Sequence, residues 1–294
     1  MTWQEFPYFG AAAVALWSLG AALAARYGTG VEPVRRNDAA AGKPGKSGPS
    51  NHTAGRESRP RQSAAARIGS GLFLAGTLIY LLFILLFWHT LGRAPMRTMG
   101  ETRLWYALFL SLTGWVLHRR WRYRFLLPFA AVLASVFTLI NIFKPEIHSE
   151  TLMPALQSAW FVPHVAIYML AYAVLAAALA VAVASLAHRP RLLADADRLT
   201  RIASALLILG MLSGAVWARQ AWGDYWAWDA KESWAAATWL LTLAYIHFRR
   251  HRPTAHRTAV ALLAVAFLAL QVTWYGVNYL PAAKKSLHTY TLNR

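Results

Sequence analysis

The sequence contains no cysteine. That excludes disulfides, thiolate metal centres, a cysteine nucleophile and a dithiol redox pair, so any thiol chemistry has to come from another protein. Acidic residues are scarce as well: 12 Asp and Glu stand against 30 Lys and Arg, a formal net charge of +18. In a soluble chain that excess would suggest nucleic acid. Here the basic residues fall in short clusters between apolar runs, which is a topology signal and argues against nucleic-acid binding. The apolar share is 57%, above the roughly 45–50% usual for soluble domains, and it places the chain among membrane proteins. The first residues carry Glu5 and no positive cluster, so the apolar run that follows is expected to be a retained helix and not a cleaved signal.

Crossing a hydrocarbon core of about 30 Å takes about 20 helical residues. Eight apolar runs approach that length, near 6–25, 68–88, 103–118, 124–143, 161–187, 201–220, 233–248 and 258–280. The third and seventh are short and rely on Trp105, Trp115, Trp234 and Trp239, or on snorkelling arginines, to match the bilayer. The expected fold is an all-α polytopic membrane helix bundle of about eight transmembrane helices. If 26–67, 118–124, 188–201 and 248–257 are cytoplasmic they hold 21 of the 30 basic residues, which puts both termini on the external side. Three parts follow: an N-terminal helix at 1–27, a linker at 28–67 and a membrane domain at 68–294. The linker is rich in Gly, Ser, Pro and basic residues with almost no large apolar side chain. It is expected to be disordered, with its charge against anionic lipid heads.

Between the sixth and seventh runs, at 221–234, lies Trp222-Gly223-Asp224-Tyr225-Trp226-Ala227-Trp228-Asp229-Ala230-Lys231-Glu232-Ser233-Trp234. Tryptophans collect at membrane interfaces as a matter of course. An interfacial belt does not explain the interleaved Asp224, Asp229, Lys231 and Glu232. A planar apolar surface bordered by a few charges suits a flat macrocycle with two propionates.

Among the ten histidines, His52, His188, His251 and His256 lie in basic cytoplasmic stretches and read as solvated surface. His164, after Pro163, and His288, beyond the last run, fall by topology at the level of the tryptophan loop. Two imidazoles flanking an aromatic platform are a candidate axial pair for haem iron. His247 sits at the cytoplasmic end of the seventh run, where an ionisable residue is a functional candidate and snorkelling beside Arg249 the simpler alternative. His89, His118 and His148 read as ordinary polar positions.

The loop resembles the WWD signature, W-G-x-Y-W-x-W-D-x-K-E, of the haem-handling proteins of cytochrome c maturation. Its Lys231-Glu232 ending is similar to the CcsA (ResC) branch, with Ala230 where that branch usually has proline. Further stretches resemble the same branch: 95–103, 152–158, and 276–280 with 287–290. The resemblance covers roughly 88–291.

The resemblance implies haem b handled as bound substrate. An outer site would be ligated by His164 and His288. A membrane site would take His247 from this chain and its other ligand from a CcsB/ResB-like partner. Trp222, Tyr225, Trp226, Trp228, Asp229, Lys231 and Glu232 would line or fix the outer site. It further implies a holocytochrome c synthase subunit of the inner membrane, active with that partner, attaching haem on the external face. The other partners would be an apocytochrome c bearing Cys-x-x-Cys-His, thiol-reducing proteins and membrane lipid. A cytochrome b-like electron-transfer subunit is the alternative; it would normally keep its ligands well inside the helices.

Overall fold

A computed structural model describes residues 2–28, 63–144, 154–187 and 191–280. These contain eight α-helices and no strand: α1 (Phe6–Tyr27), α2 (Ala64–Leu91), α3 (Met99–Trp121), α4 (Leu126–Phe143), α5 (Phe161–Ser185), α6 (Arg191–Trp222), α7 (Ala230–His251) and α8 (His256–Trp274), with 3-10 turns at Pro154–Gln157 and Gly276–Tyr279. Most of the linker, 29–62, together with His52, His148, His188 and His288, lies outside the described residues.

Six helices, all but α3 and α7, are long and apolar enough to cross a membrane. The chain is a multi-pass membrane protein. Helices α3 and α7 run for 23 and 22 residues, longer than their apolar runs, because polar ends such as Thr98-x-x-Glu101 and Arg249-Arg250-His251 extend them. Three starts, of α2, α3 and α6, and one end, of α8 at Trp274 where the apolar run reaches 280, differ from the hydropathy reading by four residues or more. Helix α6 begins at Arg191, ten residues early, since Arg191–Arg201 is mostly Arg, Leu and Ala, strong helix formers, and its charges conceal it from an apolar count. Helix α2 begins at Ala64, where the Ser63 side chain accepts a hydrogen bond from the Ala66 amide at 3.1 Å.

Within lipid, helices associate by close packing and interhelical hydrogen bonds. Helices α1 and α2 touch at Gly20 and Gly69: a Cβ on Gly20 would lie 2.6 Å from the Gly69 carbonyl oxygen. Trp17 Nε1 donates to Thr77 Oγ1 at 3.1 Å, Trp115 Nε1 to the Ser70 carbonyl at 3.1 Å, and Asn141 Nδ2 to the Gly100 carbonyl at 2.9 Å. Helix α5 is the centre: 72% of its most apolar window is buried, against 33–44% in the other five candidate spans. It packs on α3, α6 and α8, and α7 fills the space beside α6 and α8.

At the end of the bundle where α6 starts and α7 ends, Asp197 ties the two. Its carboxylate accepts from Tyr245 Oη at 2.7 Å and from Arg249 Nε and Nη2 at 3.0 Å each. At the opposite end, Glu101 fastens the α2–α3 connection. Both of its oxygens are gripped by Arg93, at 2.8 and 2.9 Å, and the Thr98–Glu101 capping box closes the first turn of α3.

Candidate functional site

The site is built where α5 begins, α6 ends and α7 begins. Pro163 is tolerated in the first turn of α5, where an amide would have no intrahelical acceptor. The next residue, His164, donates from Nδ1 to the Gly210 carbonyl of α6 at 2.8 Å. A carbonyl can only accept, so this bond places a proton on Nδ1 and directs the basic lone pair of neutral imidazole to Nε2. The ring lies against Trp217 at 5.4 Å and 26°, and meets Tyr168 edge-on at 4.9 Å. Gly214 makes this approach possible, because a Cβ there would fall 2.6 Å from the imidazole; one on Gly210 would fall 3.1 Å from the Tyr168 ring. The four-residue spacing of Gly210 and Gly214 puts both on one face of α6, the small-xxx-small device by which membrane helices draw close.

Trp217 is held in turn. Its Nε1 donates to the Ala155 carbonyl at 2.8 Å, and its ring packs on Phe161 at 5.0 Å and Trp222 at 4.7 Å. The stretch at 152–158 therefore serves, in its described part, as a strap on the end of α6, with Ser158 Oγ also donating to Gln220 Oε1 at 2.7 Å.

Helix α6 stops at Gly223, which takes a left-handed φ of 94° while its amide bonds the Arg219 carbonyl. The loop then exposes Asp224, Tyr225, Ala227 and Trp228. Trp228 is 72% exposed and left-handed at φ 54°, an uncommon state for a bulky residue that marks a position fixed by its surroundings. Trp226 and Trp228 meet edge-to-face at 5.6 Å. Trp226 Nε1 is buried with no partner among the described residues, and Arg219 lies over the Tyr225 ring at 5.7 Å.

Asp229 and Glu232, read from sequence as contacts for propionates or as residues fixing the loop, form a capping box. Asp229 caps α7 by accepting from the Glu232 amide at 2.8 Å. Glu232, 8% exposed, returns to the Ala227 and Asp229 amides at 2.8 and 3.3 Å. Lys231 precedes the apolar part of α7; burial pushes its ammonium down to about 8 against the opposing pull of Asp229.

The structure thus brings together His164 and Trp222 through Trp217, a residue the sequence reading did not select. His247 is elsewhere. It is exposed on the flank of α7, its ring 4.4 Å from His251, and roughly 26 Å along the helix from the loop at 1.5 Å per residue. His118, treated as ordinary, is 1% exposed, with Nδ1 3.2 Å from the Tyr123 carbonyl and Nε2 unpartnered among the described residues. Groups of three or more His, Asp or Glu able to hold a metal are absent among the described residues.

A family profile described as "Cytochrome C assembly protein" matches residues 72–283. The chain belongs to that family. It is 30% identical over 233 residues to the cytochrome c biogenesis protein CcsA of Chlamydomonas reinhardtii, covering 72% of this chain and 65% of that one. With the CcsA of Prochlorococcus marinus strain AS9601 it shares 27% identity over 273 residues, 79% of this chain and 86% of the relative. Among solved structures the fold is similar to "Cytochrome c Heme Lyase CcmF", with a TM-score of 0.59 at 20% identity over 94% of this chain. The chain spans about half of that protein's length, 47%.

Proposed function

We propose that this protein handles haem in cytochrome c maturation, as the CcsA-type subunit of a cytochrome c synthase that presents haem b for covalent attachment. The observation that carries the reading is His164: an imidazole oriented by the Gly210 carbonyl and backed by Trp217, next to an exposed tryptophan loop, in a chain of the cytochrome c assembly family. The donor set suits haem, since a neutral histidine with a fixed tautomer is a good axial ligand and indole faces suit a porphyrin.

In this reading His164 and His288 are the axial pair of the outer site, on the external face of the inner membrane with both termini. Trp222, Tyr225, Trp226 and Trp228 line the macrocycle, and the Asp229–Glu232 capping box holds the loop at one height. Thioether formation adds a cysteine S–H of the apocytochrome across a haem vinyl group. A C–S bond forms, the vinyl carbons take up the hydrogen, and no oxidant is consumed. The chain contributes position, which is worth several kcal/mol in reactions of this kind. Thiols kept reduced must come from other proteins, because this one has no cysteine.

His247, turned away from the bundle on α7, is available to a membrane helix of a CcsB/ResB-like partner, which would supply the other ligand of a second haem site. The cytochrome b-like alternative is not favoured, given the family and a best ligand within one turn of a helix end. Co-expression of the full chain with a CcsB-like partner and an apocytochrome c tests the reading. Covalent haem on the apocytochrome is expected with both proteins and not with either alone; its absence with both present would contradict it.

A further inference from the structure

Among the charged groups outside this site, Arg103 is buried in surroundings that leave its charge unbalanced. It lies four residues into α3 and is 8% exposed. Its Nε donates to Tyr275 Oη at 3.1 Å, and its guanidinium carbon sits 5.4 Å from the centre of the Tyr275 ring. Its Nη1 is buried without a partner among the described residues. The nearby carboxylate in sequence, Glu101, is committed to Arg93 and to the Arg97 and Thr98 amides. The described ion pairs, Arg93–Glu101, Arg198–Asp195 and Arg249–Asp197, do not include Arg103. A guanidinium does not give up its proton in a protein. A buried charge lacking its counter-charge costs several kcal/mol, which makes Arg103 a functional candidate.

A series of ring-to-ring contacts links Arg103 to the proposed haem ligand. Tyr275 packs on Trp274 at 4.6 Å, Trp274 on Tyr172 at 5.8 Å, Tyr172 on Tyr168 at 5.7 Å, and Tyr168 on His164 at 4.9 Å. Helices α3 and α5 start at the same end of the bundle. With 1.5 Å of rise per residue, Arg103 is about 6 Å and His164 about 4.5 Å from the start of its helix. The series ends on an imidazole at one side and on a guanidinium at the other, the two groups that a ligand with an iron centre and an acidic edge needs.

We propose that Arg103, steadied by Tyr275, is the seat of a porphyrin carboxylate, one propionate of the haem held at His164. The inference rests on the haem reading above. A carboxylate on Nη1 would supply both the missing hydrogen bond and the missing negative charge, and charge-assisted bonds of this type are among the stronger ones in proteins. Tyr275 holds Nε and backs the face of the guanidinium.

The test compares two probes on the purified full-length protein: iron protoporphyrin IX and its dimethyl ester, in which both carboxylates are masked, titrated by Soret absorbance. Wild type is expected to bind the free acid roughly tenfold or more tightly than the ester. Arg103→Met should bring that ratio to within about twofold by weakening the free acid more than the ester, and Arg103→Lys should fall between, since it keeps charge but loses the fork. Equal affinity of wild type for the two porphyrins would overturn the proposal and leave the haem reading standing. So would a wild-type ratio in Arg103→Met, or a matching loss of ester binding there, which would assign Arg103 to the fold. Wild type that binds neither porphyrin would remove the haem reading, and this proposal with it.

Discussion

Replacing Trp228 by Gly and, separately, by Ala divides what this residue does for the backbone from what it does for a ligand. Its side chain is 72% exposed and its described ring partner is Trp226, so truncation to either residue removes similar packing. The two variants differ in the backbone at φ 54°. The left-handed region costs an L-residue about 1–2 kcal/mol, and glycine avoids this but gives back roughly 0.5–1 kcal/mol in extra chain entropy. Trp228→Gly should therefore be more stable than Trp228→Ala by about 0.5–1 kcal/mol. Haem affinity should fall equally in both, by roughly three- to tenfold for a lost stacking partner. Equilibrium unfolding in mixed detergent micelles gives the first quantity and Soret titration the second. A glycine variant less stable than the alanine variant would refute the backbone argument, and unchanged haem affinity in both would remove Trp228 from the site.

Three other outcomes are expected. Gly214→Ala places a methyl 2.6 Å from the His164 ring and should lower haem binding through an overpacking cost of about 1–3 kcal/mol; a visible spectrum identical to wild type would show that the ring has room to move. Ala230→Pro restores the residue usual in the CcsA branch at the first position of α7, after Asp229 at φ −66°, ψ 171°, a conformation proline accepts in its predecessor. It should be stabilising by about 0.4–1 kcal/mol, read as a rise in thermal midpoint. A reporter fused at residue 50 should be active only in its cytoplasmic form, since 21 of the 30 basic residues lie on the sides assigned there; an external reporter would invert the topology.

The helices were legible because lipid selects for long apolar runs, and seven of the eight begin within four residues of the sequence reading. Helix α6 was misplaced at its start because an amphipathic extension at a membrane surface is rich in Arg and Asp, which hydropathy counts as connection. The position of His164 at the loop's end of the bundle was legible from topology, and the contacts around it were less so. Its partners Gly210, Gly214 and Trp217 lie on another helix and carry no charge. The G-x-x-x-G spacing at Gly210 and Gly214 was the available signal, since such a pair invites another group to within backbone distance. The same holds for the loop acids. Asp-x-x-Glu directly before an apolar run is a capping box by spacing alone, and that assigns Asp229 and Glu232 to holding the loop. Arg103 gave no sign of itself in sequence, since burial without a counter-ion is visible only once Tyr275 has been folded against it.

The most direct measurement of the central claim is the haem content and attachment yield of His164→Gly, with and without imidazole, in the full chain co-expressed with a CcsB-like partner and an apocytochrome c. Glycine removes the ligand and leaves a space beside Trp217 and the Gly210 carbonyl that a free imidazole can fill. The account predicts loss of covalent haem on the apocytochrome and partial recovery when imidazole is added, with a low-spin spectrum returning alongside it. Wild-type attachment by His164→Gly in the absence of imidazole would contradict it.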